Sequence, residues 1–132
     1  MTELLIKSLC ELLPYKTICK DCETDFIGTL GQVDINFGIV GIKGTNTTTV
    51  GYIPYCKPYL FPLSSMSEEQ KKEYNRWKHE IPVCRYEYGE VVEEIELWES
   101  PESFEYLIEN HFDYHGLIPM GLAIDAAGLN IY

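Results

Sequence analysis

Apolar residues near the N-terminus fall at three- and four-residue spacings: Leu5, Leu9, Leu12 and Leu13. This is the stripe of one helix face, with Thr2 as its cap and Pro14, which has no N–H to extend the ladder, as its stop. The period then changes. Thr17-Ile18-Cys19 and Phe26-Ile27 are short β-prone pieces. Val33, Ile35, Phe37 and Ile39 alternate with Asp34, Asn36 and Gly38, which predicts one half-buried strand over 33–39. Lys43-Gly44-Thr45-Asn46 reads as a turn, and 47–53 as the returning strand. Gly28, Gly31, Gly38 and Gly41 supply bends for a curving sheet, and Pro54, Pro58 and Pro62 interrupt its pairing.

A second helix is expected to start at Ser65, followed three residues later by Glu68 as in a capping box. Met66, Gln70, Tyr74, Trp77 and Ile81 would line its face, and Pro82 would close it. Residues 83–98 carry two signals. Tyr86 and Tyr88 alternate with Arg85 and Glu87 as in a strand, while Val91, Val92, Ile95 and Trp98 also fit a helical stripe. The reading adopted is two strands turning at Gly89-Glu90. Ser100-Pro101 opens a last helix reaching about His111, with Phe104, Leu107 and Ile108 inward, and 113–132 packs back as irregular or extended chain. The expected fold is a single α+β domain over 1–132: a small antiparallel sheet or SH3-like barrel with three packed helices.

Charge changes the picture more than composition does. Residues 80–132 hold twelve acids and one base, Arg85, whereas residues 1–79 hold nine of each, so the whole formal charge of −11 belongs to the acidic C-terminal region 80–132. Such a surface repels nucleic acid and lipid headgroups and attracts a basic partner. With 45% hydrophobic residues and seventeen aromatics, ten of them Tyr, the chain has ample material for a core. No apolar run approaches membrane-spanning length, and the start Thr2-Glu3-Leu4-Leu5-Ile6-Lys7 lacks the basic region of a signal peptide. Five cysteines, an odd number, are expected to be free thiols of a cytoplasmic protein.

Candidate chemistry is thin. Cys19 and Cys22 have the spacing of half a zinc knuckle, but Cys56 and Cys84 are too far apart to be a second C-x-x-C, and on a strand Cys19 and Cys22 would point to opposite faces. His111 and His115 are four apart, yet Gly116 and the nearby helix end break the geometry of a shared helical face. The carboxylates of 93–102 read as a solvated face, and the glycines lack the spacing of a phosphate cradle. No cofactor or catalytic group is expected.

Two segments are familiar: Cys56-Lys57-Pro58-Tyr59-Leu60-Phe61-Pro62-Leu63-Ser64-Ser65-Met66-Ser67-Glu68-Glu69 and His111-Phe112-Asp113-Tyr114-His115-Gly116-Leu117-Ile118, the latter continuing from Gly121 to Tyr132. Together they resemble a family of short hypothetical proteins of tailed phages and integrated elements of gut anaerobic bacteria. Phe61 and His115 stand where that family usually has Arg. The resemblance implies an origin rather than a chemistry, and both segments are expected to fix a sheet-to-helix corner and dock the tail.

The expected function is non-enzymatic: a phage or mobile-element protein that binds a basic host protein through an acidic surface, as an inhibitor of a host defence or nucleic-acid-binding system. Its contact residues would be Tyr86, Tyr88, Glu93, Glu94, Glu96, Trp98 and Glu99. Direct nucleic-acid and membrane binding are not expected. A small-molecule- or metal-binding module and a phage structural component are the alternatives.

Overall fold

The computed structural model describes the backbone of residues 2–76, 78–99 and 101–132, and the side chains of residues 3–76, 88–90 and 101–132. Among the described residues there are three α-helices, α1 (Thr2–Leu12), α2 (Glu68–Arg76) and α3 (Pro101–Glu109). Eight strands accompany them: β1 (Ile18–Asp21), β2 (Phe26–Asp34), β3 (Ile39–Lys43), β4 (Thr48–Tyr52), β5 (Cys56–Leu60), β6 (Lys78–Glu87), β7 (Glu90–Glu99) and β8 (Ile124–Asp125). The fold is α+β. Two compact units divide the chain, one made of Met1–Ser65 with Ile108–Tyr132, the other of Met66–Leu107.

In the first unit six strands form one curled sheet in the order β4-β3-β2-β1-β5-β8. The pairing is antiparallel except at its last step, where Tyr59 and Leu60 of β5 run parallel to Ile124 and Asp125 of β8, so the sheet is mixed rather than wholly antiparallel. The predicted leucine stripe of α1 supplies the lid on its concave side. Leu5 and Leu9 join Cys19, Leu30, Val40, Ile42, Ile53 and Cys56 in one buried cluster. Each fully buried aliphatic side chain there stabilises the unit by about 1.5–3 kcal/mol. Pro14 ends α1 in a 3-10 turn, Leu13–Tyr15, and Thr17 ties the turn down by donating its hydroxyl to the Leu12 carbonyl at 2.8 Å.

The curl has a local cause. Register slips between Leu30 and Gln32, a bulge at Gly31, and a Cβ on Gly28 would lie 2.5 Å from the Lys43 carbonyl oxygen. Only a residue without a side chain permits that approach.

The alternation over 33–39 is not one strand. β2 ends at Asp34 and β3 starts at Ile39, and Ile35 and Phe37 stand exposed in the turn between them. Asp34 Oδ1 accepts the N–H groups of Asn36 and Phe37, and Gly38 takes a left-handed φ of 67°. Side chain-to-backbone bonds at an Asp thus outcompeted the period-2 signal.

The second unit also departs from expectation in detail. A capping box is present, but Ser67 and Gln70 form it: Gln70 N–H donates to Ser67 Oγ at 3.2 Å and Ser67 N–H to Gln70 Oε1 at 2.9 Å. Ser65 instead donates to the Pro62 carbonyl at 2.7 Å. The helix stops at Arg76, so Ile81 belongs to a strand; Trp77 lies outside the described residues. β6 and β7 form a two-stranded ribbon in a ten-pair register. Its turn is Tyr88-Gly89, one residue before the expected position, with φ of 51° and 81°, the two positive values that a type I′ hairpin turn demands. Pro101 occupies the first position of α3 as expected, and the chain leaves that helix through His111 in a left-handed conformation, φ 61°.

Candidate functional site

The segments around Phe61 and Phe112 interlock in the first unit. Phe61 N–H donates to the His111 carbonyl and Asp113 N–H to the Phe61 carbonyl, each at 2.8 Å, making a parallel bridge between Phe61 and Phe112. The rings of those two phenylalanines lie 6.1 Å apart and tilted, and Phe61 also meets Tyr132 at 5.8 Å. Phe61 is therefore part of an aromatic joint. His115 Nε2 lies 2.8 Å from a Glu11 carboxylate oxygen, joining the tail to α1.

Asp113 holds the turn after this joint. It is buried, and its two carboxylate oxygens accept the backbone N–H groups of Leu117 at 2.7 Å and Ile118 at 2.9 Å. Tyr132, which the sequence reading did not single out, closes the tail. Its hydroxyl donates to the Tyr59 carbonyl at 2.8 Å and accepts Ile18 N–H at 2.9 Å, while its ring stacks on His111 at 4.0 Å and 11°. Burial pushes the Tyr132 phenol well above its ordinary pKa. Burial also lowers the His111 pKa, partly opposed by the hydrogen bond between Nε2 and the Tyr15 carbonyl. These contacts bind the chain to itself, and they account for the segments in structural terms.

The cysteines separate by burial. Cys19 and Cys56 lie in the core, whereas Cys22 is exposed; the C-x-x-C spacing does not converge. A hydrogen bond with Cys56, reinforced by burial, holds the Cys19 thiol well above the usual range, so it packs as a small neutral group. The Cys84 side chain lies outside the described residues. His111 and His115 turn to different partners, Tyr15 and Glu11. Among the described residues no group of three or more His, Cys, Asp and Glu is placed to hold a metal ion.

All seven expected contact residues fall on the ribbon or its turn. Tyr88 is fully exposed at the turn; the side chains of Tyr86, Glu93, Glu94, Glu96, Trp98 and Glu99 lie outside the described residues. Their backbone register is informative nonetheless. Glu93, Glu94 and Glu96 stand opposite Cys84, Val83 and Ile81. Glu99 is paired with Lys78, while Arg85, the other ribbon base, is opposite Val92. Six of the seven ribbon glutamates thus have no basic residue across the ladder. The unit that contains the ribbon carries twelve acids and five bases, a net −7 of the chain's −11.

No protein-family model, no curated protein and no solved structure matches the chain.

Proposed function

We propose that the protein is a non-enzymatic binding module that engages a basic protein through the acidic β6–β7 ribbon. The observation that carries this reading is the ribbon's register: six carboxylates without a basic residue opposite, on a two-stranded element whose turn offers a fully exposed tyrosine. An excess of charge of one sign raises the association rate of an oppositely charged partner and suppresses like-charged ones. Tyr88 adds the amphipathic ring that interface centres favour.

The family resemblance of the two interlocked segments supports a phage or mobile-element origin and, with it, a host protein as the partner. A protein that normally holds nucleic acid has the required basic surface, and blocking a host defence system is the role we assign. The test is affinity capture from a lysate of a gut anaerobic host at low and at physiological salt, read by mass spectrometry. One stoichiometric basic partner, retained better at low salt, is expected. Capture that is indifferent to salt, or of acidic proteins, would sink the reading.

A further inference from the structure

The convex side of the curled sheet carries a charge pattern that sheet stability does not explain. In β1, Cys19 and Asp21 are buried, Cys19 in the core cluster, which leaves Ile18 and Lys20 on the convex side. Residues opposite one another across an antiparallel ladder share a side. Ile27 and Thr29 of β2, Lys57 of β5 and, through Thr29, Lys43 of β3 therefore lie with them. Lys20 and Lys57 form a direct cross-strand pair, and like charges so placed destabilise a sheet. Asp25 in the β1–β2 turn lies 3.4 Å from Lys20 and offsets one of these charges. Among the described residues neither Lys43 nor Lys57 has an ion-pair partner. Beside them the convex side sinks into an open hollow of about 390 Å³, lined by Ile18, Ile27, Thr29, Lys43, Gly44 and Thr45. Ile27 is 47% exposed there. Lys43 stands on one rim; Lys20 and then Lys57 follow on the two strands beyond Ile27, with Lys20 roughly 12 Å from Lys43 along the sheet.

We infer that this hollow binds a small amphipathic anion, whose apolar body rests on Ile18 and Ile27 while its carboxylate or phosphate reaches the lysine ammonium groups. The volume lies within the range of small-molecule sites, about 300–1,000 Å³. The lysines offer charge-assisted hydrogen bonds to an anionic head, and such a head relieves the repulsion of the Lys20–Lys57 pair. Charge also decides the size of the ligand. The chain carries −11, which repels a nucleic acid or an acidic protein, because the charges of either extend far beyond three lysines. A small anion senses chiefly the charges within a Debye length, about 8 Å at physiological ionic strength, and at that range the lysines prevail. The hollow is thus complementary in sign to the acidic ribbon: the ribbon attracts a basic protein, the hollow a small anion.

The test is a heteronuclear NMR titration of the intact chain with defined probes. 1-Naphthyl phosphate and 1-naphthoate combine a ring with an anion, 1-naphthol keeps the ring alone, and inorganic phosphate keeps the charge alone. The two amphipathic anions are expected to bind with dissociation constants of about 0.1–1 mM, moving the amides of residues 27–29 and 43–45. The tighter of the two identifies the head group that the lysines prefer. 1-Naphthol and inorganic phosphate should each bind at least about tenfold more weakly, and added salt should weaken the amphipathic anions. Lys43→Gln should weaken those anions about fivefold or more, and Lys43→Arg should retain them. Lys72→Gln, a change on α2, should leave them unaffected. The parent's shift map and the probe comparison stand even if a variant fails to fold. No shifts at residues 27–29 and 43–45 with either amphipathic anion up to about 5 mM overturns the inference. So does 1-naphthol or inorganic phosphate binding as tightly as the amphipathic anions, or binding that folded Lys43→Gln leaves unchanged.

Discussion

Replacing Asp113 by alanine tests whether the tail segment is structural. The carboxylate accepts two backbone N–H groups, from Leu117 at 2.7 Å and Ile118 at 2.9 Å, and Asp113 and Leu117 are both buried. Hydrogen bonds to a charged acceptor contribute about 1.5–3 kcal/mol each, and a buried N–H left without a partner costs its desolvation. Asp113→Ala should therefore destabilise the fold by about 3–5 kcal/mol, a large share of the 5–15 kcal/mol typical of a domain. For a chain of this size that corresponds to a fall of roughly 10 °C or more in Tm. Asp113→Asn keeps one carbonyl acceptor and loses the charge, and should fall between the parent and alanine. Urea and thermal unfolding followed by circular dichroism provide the measurement. If Asp113→Ala remains within about 0.5 kcal/mol of the parent, the carboxylate is not holding the turn, and a role in binding becomes the better account of the segment.

Further predictions follow from the same joint and from the sheet. Tyr132→Phe removes the hydroxyl that links Tyr59 to Ile18 and should cost about 1 kcal/mol by urea titration; Tyr132→Ala, which also loses the His111 stack, should cost more. Gly28→Ala drives a methyl to 2.5 Å from the Lys43 carbonyl oxygen and should destabilise by about 1–3 kcal/mol, with loss of protection at the β2–β3 amides in hydrogen exchange. Burial lowers the His111 pKa, so the unfolded chain binds that proton more readily than the folded one. Its contribution is intact above the unfolded value of about 6.5 and is lost as pH falls from there through the depressed folded value. Melting at pH 7.5 and 5.5 should show a smaller acid penalty for His111→Gln than for the parent; equal penalties would contradict the assignment.

What the sequence disclosed was local. The leucine stripe of α1, Pro14 as its stop and Pro101 at the head of α3 are signals carried within a few residues, and each is found in place. Asp34-Ile35-Asn36-Phe37-Gly38 shows the limit. Its alternation was a genuine strand pattern, but the Asp34 carboxylate and Gly38 carried turn chemistry that decided the outcome. Residues 78–81 continued a helical stripe, yet pairing with 96–99 drew them into β6, a choice made by a partner strand some twenty residues away. The tail segment was expected to dock, and it does so through Asp113, Phe112 and Tyr132; the Ser65 cap expected of the other segment is replaced by Ser67. The union of the two segments through Phe61, Phe112 and Tyr132 was not legible, because no local rule joins residues 61 and 132.

The central claim is that charge on the ribbon captures the partner, and charge reversal tests it most directly. Affinity capture with the parent is compared with the triple variant Glu93→Lys, Glu94→Lys and Glu96→Lys, after circular dichroism shows that both are folded. The account predicts that the basic partner held by the parent disappears from the variant. A partner retained in equal amount by both would contradict it and leave the acidic ribbon as a solubilising surface.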